Sequence, residues 1–348
     1  MNVNLLKTIC EIPGAPGFEH RIRAFLKEQV ADLVDEMTVD PMGNLMVLRK
    51  GRQDKRVMVT AHMDEISFIV THIDDEGFLR FSTLGGFDAK TLTAQRVIVH
   101  GREEVIGVMG SKPIHLMKAE ERNKAVQIED FFIDTGLPAE QVKKLVRVGD
   151  PVTRERQMIE MGECINSKSL DNRISVFILV EVLKALKGKE LPYDLHAVFT
   201  VQEEIGLRGA ISAAHRINPD FGIVLDTTIA FDVPGAQPQE MVTKLGKGTA
   251  IKILDGMTVC DPRMVDYLRD QADAAGITWQ SEILTAGGTD TAAVQRYGKN
   301  GAIAGALSIP TRHIHQVIEM VHKNDVQATI DLMTLALLNL DKGQWNER

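Results

Sequence analysis

Phe199-Thr200-Val201-Gln202-Glu203-Glu204-Ile205-Gly206 is the stretch on which the reading of this chain turns. An apolar, β-branched run stops on two adjacent carboxylates and opens a helix-like segment. Leu195 to Val201 has the composition of a short buried strand, and Ile205 through His215 reads as a helix. The glutamates therefore fall at a strand's carboxyl end, the edge at which open α/β sheets bind ligands. Taken alone, the pair could equally serve as negative charge at a helix N-terminus.

Three further apolar runs end the same way. Val57-Met58-Val59 leads to His62, Gly222-Ile223-Val224-Leu225 to Asp226, and Ala302 to Ile309 leads to Pro310-Thr311-Arg312-His313-Ile314-His315. Each has a plainer alternative. His62 could be a hydrogen-bonded core histidine, Asp226 a turn cap before Thr227-Thr228, and Asp171 the cap of a helix from Arg173 onward. Their joint placement at one sheet edge is what points to chemistry. Two histidines with several carboxylates and no thiolate suit a divalent ion such as zinc, cobalt or manganese, and the set is rich enough for two. A two-metal hydrolase follows. In His62-Met63-Asp64 the first and third residues share a face of an extended segment, so Asp64 can orient the imidazole from behind.

The chain of 348 residues carries a formal net charge of -8, which argues against a general nucleic-acid partner. Cys10, Cys164 and Cys260 are odd in number and widely spaced, indicating neither a disulfide framework nor a thiolate zinc site. Met1 to Leu5 lacks a leader pattern and no apolar run suffices for a membrane span, so a cytoplasmic location without a membrane partner is expected.

Periodicity places helices within Leu5 to Val34, broken at Pro13-Gly14-Ala15-Pro16-Gly17. After the turn signal Asp40-Pro41-Met42-Gly43-Asn44, strands at Leu45 to Leu48 and Val57 to Thr60 read as joined through Lys50-Gly51. From about Ile66 to Met161 short β-like pieces punctuated by glycines suggest a small β domain inserted into an α/β one. The division is thus 1–65 with 162–348, and 66–161. Beyond it, a helix with Val176, Leu179, Val180, Leu183 and Leu186 on one side is followed by alternating strands and helices, among them a helix at Pro262 to Ala275. Such alternation implies a mostly parallel sheet flanked by helices. The chain shows no internal repeat and no nucleotide-binding glycine fingerprint.

Six segments, Ala61-His62-Met63-Asp64-Glu65, Ser169-Leu170-Asp171-Asn172-Arg173, Glu203-Glu204-Ile205-Gly206-Leu207-Arg208-Gly209, Leu225-Asp226, Ala286-Gly287-Gly288-Thr289-Asp290 and Pro310 to His315, resemble the motifs of the glutamyl aminopeptidase family. These are TET-type dinuclear-metal aminopeptidases, some bearing an endoglucanase label, with a metallo-exopeptidase fold. The resemblance runs from Asp40 to beyond His315 and includes His115 to Arg122 in the insertion. It implies that Asp171 bridges two ions, zinc or cobalt, that His62 and Asp226 hold one and Glu204 and His315 the other, and that Glu203 is the general base. His313, where the family usually has tyrosine, is the alternative to His315. It also implies a cis Asp171–Asn172 peptide bond, short peptides as substrates, and dimers assembling through a barrel-like insertion into a tetrahedral dodecamer. The reading is a metal-dependent aminopeptidase. Another dinuclear amidohydrolase, such as a deacylase or carboxypeptidase, and a catalytically silent scaffold stand as alternatives.

Overall fold

The computed structural model describes residues 1–346; Glu347 and Arg348, the end of the expected 162–348 segment, lie outside the described residues. The strands are β1 (Glu36–Val39), β2 (Leu45–Arg49), β3 (Gly51–His62), β4 (Ser67–Ile73), β5 (Leu79–Leu84), β6 (Arg96–His100), β7 (Glu104–Gly110), β8 (Phe132–Asp134) and β9 (Pro151–Arg154). They continue as β10 (Ile159–Met161), β11 (Cys164–Ser167), β12 (Leu191–Thr200), β13 (Phe221–Ile229), β14 (Thr249–Leu254), β15 (Trp279–Ile283), β16 (Ile303–Arg312) and β17 (Glu319–His322).

The large sheet runs β1-β2-β12-β3-β13-β16-β17-β11-β10, with β14 pairing β16 and β15. Its centre, β12-β3-β13-β16, is parallel, as the buried apolar runs required. The flanks are antiparallel except where β15 joins β14 in parallel, so the sheet is mixed rather than mostly parallel. Tight returns explain part of this: at Asp40–Asn44 the Asp40 carboxylate accepts the Gly43 and Asn44 amides at 2.9 and 3.0 Å, turning β1 directly into β2. Strands β2 and β3 follow one another through Lys50-Gly51 as expected, yet they do not pair, because β12 lies between them.

Side chains on the central strands alternate between two cores. Val57, Val59 and Ala61 face the main core with the helices Val3–Glu11, Leu170–Ala185, Pro262–Ala275 and Lys323–Leu338, whereas Met58 joins Val198, Val224 and Ala306 under the helices Arg208–Ile217 and Asp290–Arg296. The helix Leu170–Ala185 was expected to be apolar on one side, yet it is buried nearly all round. It is sandwiched between the sheet and neighbouring helices, which leaves only its last turn, at Lys184, exposed.

Strands β4-β5-β8-β7-β6-β9 close into a small barrel with a core of its own, including Phe68, Val97, Val99, Ile133 and Val152. The strand β10, which the sequence reading grouped with this stretch, instead extends the large sheet beside β11. No helix among the described residues is long and apolar enough to cross a membrane.

Candidate metal centre

Parallel β3 and β12 end side by side, with His62 opposite Thr200, so the segments that follow both strands reach the same place. After β12 the chain does not enter a helix at once: Gln202 and Leu207 have φ of 55° and 57°, Gly206 has φ 119°, and the helix starts only at Arg208. The helix expected from Ile205 is displaced by a turn in which the Gly206 and Leu207 amides donate to the Glu203 carbonyl. Glu203 and Glu204 therefore are not charges in a helix's first turn. They line a cleft of about 480 Å³ together with His62, Asp171, Asp226 and His315.

The turn is held from three sides. Asp64 accepts the Glu203 amide on one carboxylate oxygen and the Glu204 amide on the other, each at 3.1 Å. Glu19 accepts the Gln202 amide at 3.1 Å. Asn44 accepts the Val201 amide at 3.1 Å and donates to the Gly209 carbonyl at 2.9 Å. A Cβ on Gly209 would lie 2.4 Å from the Asn44 side-chain oxygen, so glycine is what lets the helix approach. Left-handed backbone at a residue other than glycine costs on the order of 1–3 kcal/mol, and such bonding to buried groups is what sustains it here.

Asp171 sits at the middle of the cleft. Its Oδ1 is 3.4 Å from His62 Nε2 and its Oδ2 is 3.2 Å from His315 Nε2. His62 Nε2 is also 3.8 Å from both Glu203 Oε2 and Asp226 Oδ1, and its Nδ1 faces Asp64 at 3.4 Å. His315 Nε2 lies 3.6 Å from Glu204 Oε2. His62, Asp171 and Glu204 form one tight donor group, and His62, Glu203 and Asp226 a second. All the donors anticipated from the sequence meet here except His313, which is exposed and outside the cleft. The Asp171–Asn172 bond is cis, as the resemblance implied.

Electrostatically the cleft is overloaded with acid. Burial, reinforced by Asp171 against the opposing pull of His315 and His62, pushes Glu204 up to about 8. Burial likewise raises Asp226 to about 8, against His62 and with Asp171 and Asp290 adding to the rise. Burial lifts Glu203 well above the usual carboxylate range, against His62 and reinforced by Asp226, Glu204 and Asp290. Asp171 goes the other way, because hydrogen bonds from His315 and His62 outweigh its burial. Two atoms of the cleft's polar groups, Glu204 Oε1 and His62 Nδ1, are buried without a hydrogen-bond partner. An unpaired buried carboxylate oxygen among crowded carboxylates is costly unless cations join it, so the donor set fits divalent ions.

Several contributors had not been singled out from sequence. Glu319 on β17 accepts the Asp171 amide at 2.9 Å, and Asp290 accepts the Thr200 hydroxyl at 2.6 Å. Beneath the cleft, Glu65 takes Lys168 on both carboxylate oxygens at 2.9 and 2.7 Å. Arg173, wholly buried, donates to the carbonyls of Met63, Ile9 and Ile12 at 2.6, 2.5 and 2.8 Å. Glu65, Arg173 and Asp290 stood inside quoted motifs, but nothing in the sequence marked them as buried partners.

The family described as M42 glutamyl aminopeptidase matches residues 43–332, most of the chain and every residue of the cleft named above. The chain belongs to the M42 glutamyl aminopeptidase family. As an M42 member it is a peptide hydrolase. It is 38% identical over 335 residues to a provisionally named aminopeptidase of Acetivibrio thermocellus, covering 96% of this chain and 98% of that protein. Among solved structures, it resembles the TET aminopeptidase from the marine sediment archaeon Thaumarchaeota archaeon SCGC AB-539-E09, with TM-score 0.94 and 36% identity over 97% of this chain and 96% of the other. It also resembles the TET1 peptidase of Pyrococcus horikoshii, with TM-score 0.87 and 32% identity over 97% and 99% of the two chains. That protein is described as assembling into a tetrahedron or a large octahedral shell.

Proposed function

We propose that this M42 member is a dinuclear metal-dependent aminopeptidase that removes amino-terminal residues from short peptides. The observation that carries the reading is Asp171, whose two carboxylate oxygens each face a different histidine, as a bridging ligand between two ions requires. His62 and Asp226 would complete one ion's protein ligands, and Glu204 and His315 the other's. Zinc or cobalt suits these nitrogen and oxygen donors. When bound, the ions supply Lewis-acid polarisation of the scissile carbonyl and lower the pKa of the attacking water. Glu203, buried at the cleft wall, takes that water's proton and returns it to the leaving amine. Asp64 keeps Glu203 and Glu204 apart in aim by fixing both backbone amides.

Chelation followed by metal titration tests the centre: activity is expected to vanish with the ions and to return at two equivalents per chain. A substrate panel tests the reaction. Peptides with free amino termini should be cleaved and their acetylated counterparts left intact. Equal cleavage of both would favour a deacylase or another amidohydrolase, and no cleavage in the loaded protein would favour a silent scaffold.

We further propose that the insertion, residues 66–161 apart from β10 at its end, forms an oligomerisation domain and that the chain assembles as dimers into a dodecamer. Supporting this, the outer face of the barrel strand β7 carries the exposed apolar residues Ile106 and Val108, with Ile114 and Leu116 exposed just beyond. Lone exposed apolar residues are ordinary, but a cluster marks a contact surface. Sedimentation is expected to give a mass many times that of one chain, and a monomer at micromolar concentration would overturn the assembly.

A further inference from the structure

His315 is the least enclosed of the cleft's donors, with about a third of its side chain exposed, and it sits on a turn with φ 63°. Besides the approach of its Nε2 to Asp171 and Glu204, two polar contacts hold it, and both come from the barrel side of the molecule. Its Nδ1 lies 2.9 Å from the carbonyl of Gly86, in the segment after β5. A carbonyl only accepts, so Nδ1 donates to it, and Nε2 is left as the nitrogen that would ligate an ion beside Asp171 and Glu204. The second contact is to its backbone: the His315 carbonyl accepts Nη1 of Arg154 at 3.1 Å.

Arg154 is the last residue of β9 and is almost fully buried. Its guanidinium lies 5.5 Å from the ring centroid of Phe87, which stacks on Phe68 of the barrel core at 4.5 Å. An unbroken line of packing therefore runs from the barrel core, through Phe68, Phe87 and Arg154, to a donor of the metal centre. Nε and Nη2 of Arg154 are buried without hydrogen-bond partners. A cation held in this way is costly, and the bond that it makes is the one to His315.

We propose that Arg154 is a positioning residue for His315, so that the barrel completes the Glu204–His315 half of the metal centre. The inference rests on the two-ion reading above. It makes the two halves unequal: the His62–Asp226 half is built on the large sheet alone, the other half on the sheet and the barrel together.

The test is calorimetric titration of metal-stripped protein with zinc, read as stoichiometry and affinity per site. The unaltered chain should bind two ions. Arg154→Met should keep one site at native affinity and weaken the other by about 10–100-fold, the usual cost of losing a group that orients a metal ligand. Arg154→Lys, which retains one donor, should recover part of that loss. Combining Arg154→Met with Glu204→Gln should remove no further site, since both act on the same ion. Ile133→Val, a trim in the barrel core on β8, which pairs with β5 and β7 and not with β9, should leave both affinities unchanged. Two native sites in Arg154→Met, equal weakening of both sites, or the same loss in Ile133→Val would each overturn the proposal. If Arg154→Met does not fold, Phe87→Leu, which removes the platform under the guanidinium, must weaken the same site, and unchanged affinities there overturn it. Fewer than two ions on the unaltered chain would instead defeat the two-ion reading itself.

Discussion

Glu203→Gln is expected to lower kcat by about 10²–10⁴-fold while both ions stay bound, because the amide keeps shape and hydrogen bonding but cannot take a proton. Glu204→Gln is expected to behave differently. It should weaken one ion's binding, with activity partly recovered by excess zinc or cobalt. The neighbours diverge because Asp64 pins both amides, leaving Glu203 Oε2 3.8 Å from His62 and Glu204 Oε2 3.6 Å from His315. Asp226 lies as far from His62 as Glu203 does, so distance alone does not distinguish ligand from base at that end. Metal content per chain, measured beside kcat for each variant, separates the roles. Loss of metal in Glu203→Gln with two tight ions in Glu204→Gln would reverse the assignment.

Arg173→Met is expected to cost about 3–5 kcal/mol of stability, the range for removing one partner from a buried charge pair. Three carbonyls, of Met63, Ile9 and Ile12, would lose their donor inside the core. Glu65 would lose one of the two cations that, against the strong upward push of burial, hold it down to about 2; Lys168 is the larger contributor and would remain. The guanidinium also ties the first helix to Met63, directly after His62 at the end of β3, so unfolding of that corner should weaken metal binding as well. The contrast is Arg21→Ala, which breaks an exposed pair with Glu104 and should change stability by at most about 1 kcal/mol. Urea denaturation of the metal-stripped proteins measures both. Similar midpoints for the two variants would contradict the buried network.

What could be read in the sequence was whatever burial writes locally. The runs Val57–Val59, Leu195–Val201 and Phe221–Leu225 announced strands covered on both faces, and the residues ending them announced an edge with chemistry. His62, Asp171, Glu203, Glu204, Asp226 and His315 meet in one cleft as that reading anticipated. What could not be read depends on pairing between distant segments. Asp64 was anticipated behind His62, and it stands there at 3.4 Å, but its hydrogen bonds to the Glu203 and Glu204 amides exist only because β3 and β12 lie in register. Glu319 and Gly86 reach the cleft from a flanking strand and from beside the barrel, where no local pattern marks them. Nothing in the sequence marks Arg154 or Arg173 as enclosed, because sequence does not disclose that a charge is buried.

The position of β3 has a consequence for synthesis. Both strands that pair with it, β12 and β13, come later in the chain, and the nearer of them ends at Thr200. At 5–20 residues per second a ribosome needs roughly 7–30 s to add the stretch between His62 and Thr200. Throughout that interval the apolar segment Val57–Ala61 has been made but its sheet has not. The barrel strands, which all lie within that stretch, are complete by Arg154 and can close while β3 still waits. The nascent chain thus carries a finished module beside an unpaired sticky strand, a state in which a chaperone, or a second ribosome's product on the same messenger, has its best opportunity to bind.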